Sequence, residues 1–138
     1  MRIELTGSFV LSAPMEQVRP MFTAEGERAW APGWDPEWAD AEHVHEVGEV
    51  WSTSGPPATT WITVQADPDC VRYARVAIGD SAGIVSVSFA PADDGTRVTV
   101  AYDLSALSPD GAVRLTQFEA SYGDMLEHWR VFTSRALE

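Results

Sequence analysis

The chain has 138 residues and a formal net charge of −12, with twenty-one acidic side chains against nine basic ones. That balance repels nucleic-acid phosphates and anionic lipid and argues against either as a partner. All nine basic residues are arginine, so lysine Schiff-base chemistry and a lysine anchor for a ligand carboxylate are both excluded.

The length suits one domain over residues 1–138 with a core large enough to need no disulfide or metal. Cys70 is the single cysteine, which forbids an internal disulfide and fits a reducing compartment. The opening Met1-Arg2-Ile3-Glu4-Leu5 lacks the apolar core of a signal peptide, and no stretch approaches a membrane span. A cytoplasmic protein without membrane insertion is the expectation.

Residues 2–11 alternate and carry Ile3, Leu5, Phe9, Val10 and Leu11, which predicts a first strand ended by Ser12-Ala13-Pro14. Pro14 opens a short helix with Met15, Val18 and Phe22 on one side. Pro20 interrupts it, so a second short helix is placed near residues 24–30. Trp30, Trp34 and Trp38 then stand four apart, but Pro32, Gly33 and Pro36 deny a helix there and predict an ordered loop. Its tryptophans either plug one end of the core or line a ligand cavity.

From residue 40 strand signals dominate, near 41–47, 49–53, 59–66, 70–78, 82–91 and 95–105. They are separated by turns at Gly48, Ser54-Gly55-Pro56-Pro57, Asp67-Pro68-Asp69, Gly79-Asp80 and Asp93-Asp94-Gly95. Links this short make neighbours antiparallel. Alternation over the last four strands predicts one apolar face containing Ile62, Val64, Val76, Ile78, Val85, Val87, Phe89, Val98, Val100, Tyr102 and Leu104. The phase of the strand holding Tyr73 and Arg75 is undecided, because both of its faces are mixed. The last element is a long helix over Ser108 to Leu137, with Ser108 as cap, Pro109 in the first turn and Asp110 at the positive end of the dipole. Leu115, Phe118, Tyr122, Met125, Leu126, Trp129 and Phe132 recur at three- and four-residue steps and form an apolar, aromatic face roughly 40 Å long that needs a broad partner.

Strand, two short helices, six strands and a long C-terminal helix: this order resembles the START/Bet v 1-like (SRPBCC, polyketide cyclase/dehydrase-like) superfamily. The local carriers are Ser12-Ala13-Pro14-Met15-Glu16-Gln17-Val18, Gly95-Thr96-Arg97-Val98-Thr99-Val100-Ala101-Tyr102 and the helix from Pro109. Phe22 to Pro36 is similar to an uncharacterised bacterial branch of that superfamily. The resemblance implies an α+β helix-grip fold, a seven-stranded curved antiparallel sheet wrapped around the C-terminal helix. It also implies a cavity for apolar or ring-bearing small molecules. Ser54-Gly55-Pro56-Pro57-Ala58 is similar to the gate loop of plant abscisic acid receptors. The receptors' carboxylate-binding lysine and His-Arg-Leu latch have no counterpart, so that role does not carry over.

The ligand-binding expectation places Trp34, Ile62, Val64, Tyr73, Arg75, Val76, Val87, Phe89, Val100, Tyr102, Phe118, Tyr122, Met125 and Trp129 around the cavity. Affinity would come from apolar burial and orientation from Tyr73, Arg75, Tyr102 or Tyr122. A cyclase or dehydratase is the alternative, with Arg75 as an oxyanion or carboxylate clamp, Tyr73 or Tyr122 as donor and Glu119 as base; Arg75 paired to Asp103 or another surface acid is the simpler reading of that arginine. A protein-interaction module with a filled core is a third. His43 and His45 would share one face of a strand, yet no further ligands stand at a recognisable spacing, and no metal is expected. His128 lies beside the helix's apolar face, with an acid–base role conceivable. No glycine-rich phosphate loop or cysteine-pair signature calls for a cofactor. An exposed outer strand or the tryptophan loop leaves room for a homodimer.

Overall fold

The computed structural model describes all 138 residues. Alternation makes Arg2–Leu11 strand β1, whose Ile3, Phe9 and Leu11 are buried. Helix α1 (Met15–Val18) passes directly into a 3-10 turn over Arg19–Phe22, and a second 3-10 turn covers Gly26–Ala29. Pro20 sits in the first turn of its segment, where its missing N–H leaves no ladder bond unmade. The remaining strands are β2 (Glu37–Trp38), β3 (Val50–Thr53), β4 (Thr59–Asp67), β5 (Cys70–Ala77), β6 (Ser81–Ala92) and β7 (Gly95–Ala106), and helix α2 (Pro109–Ala136) closes the chain.

The seven strands form one antiparallel sheet in the order β1-β7-β6-β5-β4-β3-β2. The sheet curves around α2, which packs chiefly on β1 and β7. This is the helix-grip fold. Ser108 caps α2 by accepting from the Gly111 N–H at 3.0 Å, with Pro109 in the first turn and Asp110 beside it. Leu115, Tyr122, Leu126 and Thr133 are the buried stripe, while Phe118, Met125, Trp129 and Phe132 lie one step round the helix and are only partly covered. The approach to β1 is tight at Gly7, where a Cβ would lie 2.4 Å from Leu126 Cδ1.

Two expectations are corrected. Residues 41–47 form turns instead of a strand, and the seventh strand is Glu37–Trp38, inside the segment expected to be loop throughout. The buried Glu49 carboxylate explains the folded turn. It accepts from Trp38 Nε1 at 2.9 Å, from the His45 backbone N–H at 2.6 Å and from Thr63 Oγ1 at 2.9 Å. Three donors converging on one carboxylate hold the segment as a compact turn, which Gly48 (φ 93°) and His45 (φ 63°) enter with left-handed backbone.

The second correction concerns the phase of β4 and β5. Trp61 pairs with Trp51 and Arg75, and Thr63 with Tyr73, which sets Thr59, Trp61, Thr63, Tyr73, Arg75 and Ala77 on the concave face. Ile62, Val64 and Val76 therefore lie on the convex side, away from α2, with Val64 44% exposed at a bulge and Ile78 90% exposed. Alternation alone cannot choose between two faces of similar apolar content. Burying the larger aromatic areas of Trp61 and Tyr73 decides it. For β6 and β7 the expected faces hold: Val85, Val87, Phe89, Val98, Val100, Tyr102 and Leu104 are all buried.

Candidate functional site: an aromatic cavity under the C-terminal helix

Because inward residues alternate, β2 to β5 present a row of aligned side chains across the concave face, Trp38, Trp51, Trp61 and Arg75. The Trp51 and Trp61 rings are parallel to within 4° at 6.1 Å, and the Arg75 guanidinium lies 5.7 Å from the Trp61 centroid. The loop after the second 3-10 turn folds over this row. Trp34 meets Trp61 edge-on at 5.6 Å and donates its indole N–H to Ala24 O at 2.7 Å; Trp30 donates to Met21 O at 2.7 Å and meets Trp129 of α2 edge-on at 5.3 Å. Each indole thus has a fixed pose.

Side chains do not fill the space between these walls. A cavity of about 650 Å³ remains, within the range of small-molecule sites. Its sheet wall is Trp51, Trp61, Tyr73, Val85, Val87 and Tyr102. The loop wall runs from Glu27 and Trp30 to Trp34, and α2 contributes Met125, Trp129 and Phe132 with Ser121, Asp124 and His128 at an exposed rim. A smaller recess of about 280 Å³ continues past Trp61 and Tyr102, where Pro57, Arg75, Asp80, Arg114 and Phe118 meet.

The polar groups are few. Glu27 projects into the apolar hollow without a hydrogen bond or ion pair, and burial alone lifts its carboxyl to about 8. The Tyr102 hydroxyl also has no partner, whereas Tyr73 donates to Phe22 O at 2.7 Å. Burial raises both phenols, and the nearby Glu27 raises them further. In the recess Arg75 donates to Ser81 Oγ at 3.1 Å, and Asp80 is held by Arg114. Burial lowers the proton affinity of Arg75. The buried Trp51 indole N–H has no acceptor.

Of the residues expected to line a cavity, Trp34, Tyr73, Val87, Tyr102, Met125 and Trp129 do so, and Arg75 and Phe118 line the recess. Phe89 and Val100 are buried in the dry core, Phe89 5.8 Å from the Phe22 ring. Tyr122 is turned toward β7, its hydroxyl donating to Val100 O at 2.6 Å and pushed up by burial to about 12. Glu119 is exposed on the outer side of α2, so neither Glu119 nor Tyr122 reaches the hollow. Ile62, Val64 and Val76 are excluded by the strand phase described above. Asp103 belongs to Arg2, through bonds of 2.8 and 2.7 Å, and not to Arg75.

The histidines stand apart from any ligand set. His43 lies in an exposed turn beside Glu46 and Asp40, which raise its pKa; His45 lies against Trp38. With no strand under them, the two do not share a face. His128 stacks near Phe132 at the rim. The Ser54-Pro57 turn is fastened from outside, Ser54 donating its N–H and hydroxyl to Asp35 and keeping that carboxyl below its ordinary range.

The residues that sequence reasoning missed are chiefly Glu27, Trp51 and Trp61. The two tryptophans were legible as strand residues, but their face depended on the register. Glu27 carries no mark that separates it from Glu25, two positions earlier and exposed.

No protein-family model matches the chain, and no curated protein matches it by sequence. Solved structures share its fold. Protein MLL2253 from Mesorhizobium loti superposes with a TM-score of 0.70 at 15% identity, covering 96% of this chain and 98% of that one. An uncharacterized protein from Rhizobium leguminosarum gives 0.68 at 17% identity, over 98% and 96%. Norcoclaurine synthase from Thalictrum flavum, in complex with dopamine and hydroxybenzaldehyde, gives 0.70 at 9% identity, over 99% and 87%. At these identities the likeness speaks for the fold alone, and that fold is Bet v 1-like.

Proposed function

We propose that the protein binds a small, ring-bearing, mainly apolar molecule between the sheet and α2, as a member of the START/Bet v 1-like superfamily. One observation carries this reading: about 650 Å³ of unfilled space walled by five tryptophans, Trp30, Trp34, Trp51, Trp61 and Trp129. A core kept only for stability would fill that space, because interiors pack as densely as organic crystals. Aromatic walls favour planar, polarisable guests. The norcoclaurine synthase complex, with its two ring-bearing compounds, supports the choice of ligand class. The open hollow weighs against an interaction module with a solid interior. The single thiol of Cys70 and the acidic surface accord with a cytoplasmic carrier or sensor.

Native mass spectrometry of the purified protein, followed by solvent extraction, tests the proposal. A co-purifying aromatic whose retention falls at least tenfold in Trp61→Ala or Trp129→Ala supports it. A protein that retains nothing and takes up no aromatic probe at millimolar concentration refutes it.

A second reading, a cyclase or dehydratase, is favoured by one feature: the unpartnered Glu27 carboxyl and Tyr102 hydroxyl face the same hollow and could move protons there. Absence of any turnover of the bound molecule would remove this reading, and turnover that survives both Glu27→Gln and Tyr102→Phe would exclude these two groups as its proton carriers.

A further inference from the structure

The proposed ligand site leaves open the charge of its occupant, and this inference rests on that site. A carboxylate in an apolar wall is costly unless a counter-ion joins it. Glu27 has none. Neighbouring Arg28 is engaged by Glu25 at 3.0 Å and by Pro36 O at 2.8 Å, and Arg75 stands beyond Trp61 on Ser81. No arginine lines the main cavity, and the chain has no lysine. A second carboxylate, Asp124, stands at the rim. The other walls are indole faces, whose quadrupoles attract cations, and the net charge of −12 draws cations inward while repelling anions.

We infer that the cavity takes a cationic aryl-alkyl amine, its ammonium group paired with the Glu27 carboxylate and its ring held between the indoles. Fatty acids and other carboxylates find no positive partner in the wall. Binding the ammonium requires Glu27 to be ionised, so at neutral pH the amine displaces a proton from the carboxyl to solvent. The groups facing Glu27 are Tyr73 and Tyr102 from the sheet, both kept neutral by burial, and Asp124 and His128 from α2, with Arg75 behind Trp61. With the carboxyl titrating at about 8, its ionised share rises from about 1% at pH 6 to about 90% at pH 9. An alkylammonium remains protonated over that range.

Tryptamine and tryptophol, which share ring and chain length and differ in charge, provide the test by isothermal calorimetry at pH 6 and pH 9. Tryptamine should bind at least tenfold tighter than tryptophol at pH 9 and weaken by about 90-fold on going to pH 6, while tryptophol barely changes. Glu27→Gln should abolish the preference and keep the tryptophol affinity, and His128→Asn should keep the pH profile. Equal affinities at pH 9, or a preference for the alcohol, would overturn the amine assignment and leave the apolar site standing. If neither compound bound at millimolar concentration, the apolar site would fall as well. Should Glu27→Gln fail to fold, the wild-type pH profile and the amine-to-alcohol ratio decide alone.

Discussion

Glu27 offers a direct measurement of how the cavity treats charge. In the unfolded chain its carboxyl ionises near the ordinary value of 4.5; in the fold it does so near 8, with burial as the cause. At about 1.4 kcal/mol per pH unit, the full difference makes the ionised native form about 5 kcal/mol less favourable. The sign follows from proton counts: between pH 4.5 and 8 the native state binds the proton that the unfolded state has released, so stability falls as pH rises through that window. Glu27→Gln removes the titration and keeps the volume. Urea unfolding of the ligand-free protein, followed by tryptophan fluorescence from pH 5 to pH 9, should give curves that converge near pH 5. By pH 9 they should separate by about 4 kcal/mol, the variant being the more stable. Parallel curves would show that the carboxyl is solvated and would refute the buried acid.

Other perturbations separate scaffold from site. Glu49→Ala strands the donors of Trp38, Thr63 and His45 and should cost about 3 kcal/mol in urea unfolding. Tyr122→Phe removes the bond to Val100 O; it should lower stability by about 1–2 kcal/mol while leaving ligand affinity within twofold, because the hydroxyl points away from the cavity. Gly7→Leu would drive a side chain into Leu126 and should cost at least about 2 kcal/mol in chemical denaturation by lifting α2 from β1.

The order of elements was readable because each rests on local chemistry. The Ser108-Pro109-Asp110 start and the three-to-four spacing through Phe132 define α2 without outside help, and the tight turns of the C-terminal half force antiparallel neighbours. The alternation of β6 and β7 left one choice of face. The strand expected at 41–47 failed for a nonlocal reason: Glu49 gathers donors from Trp38 and Thr63 as well as from its own turn, and no window on the sequence contains all three.

The site was half visible. Trp34, Tyr102, Met125 and Trp129 could be placed on its walls because composition and periodicity already aimed them inward. Which face of β4 and β5 looked in was decided only when Trp61 paired with Trp51 and Arg75, since a one-residue change of phase exchanges Ile62 and Val64 for Trp61 and Thr63. Sequence alone determined an acidic, lysine-free, tryptophan-rich chain with a helix that must be gripped. Tertiary structure alone placed one unpaired carboxyl, Glu27, among the indoles, because burial and the absence of a counter-ion are properties of the assembled walls and belong to no single stretch of chain.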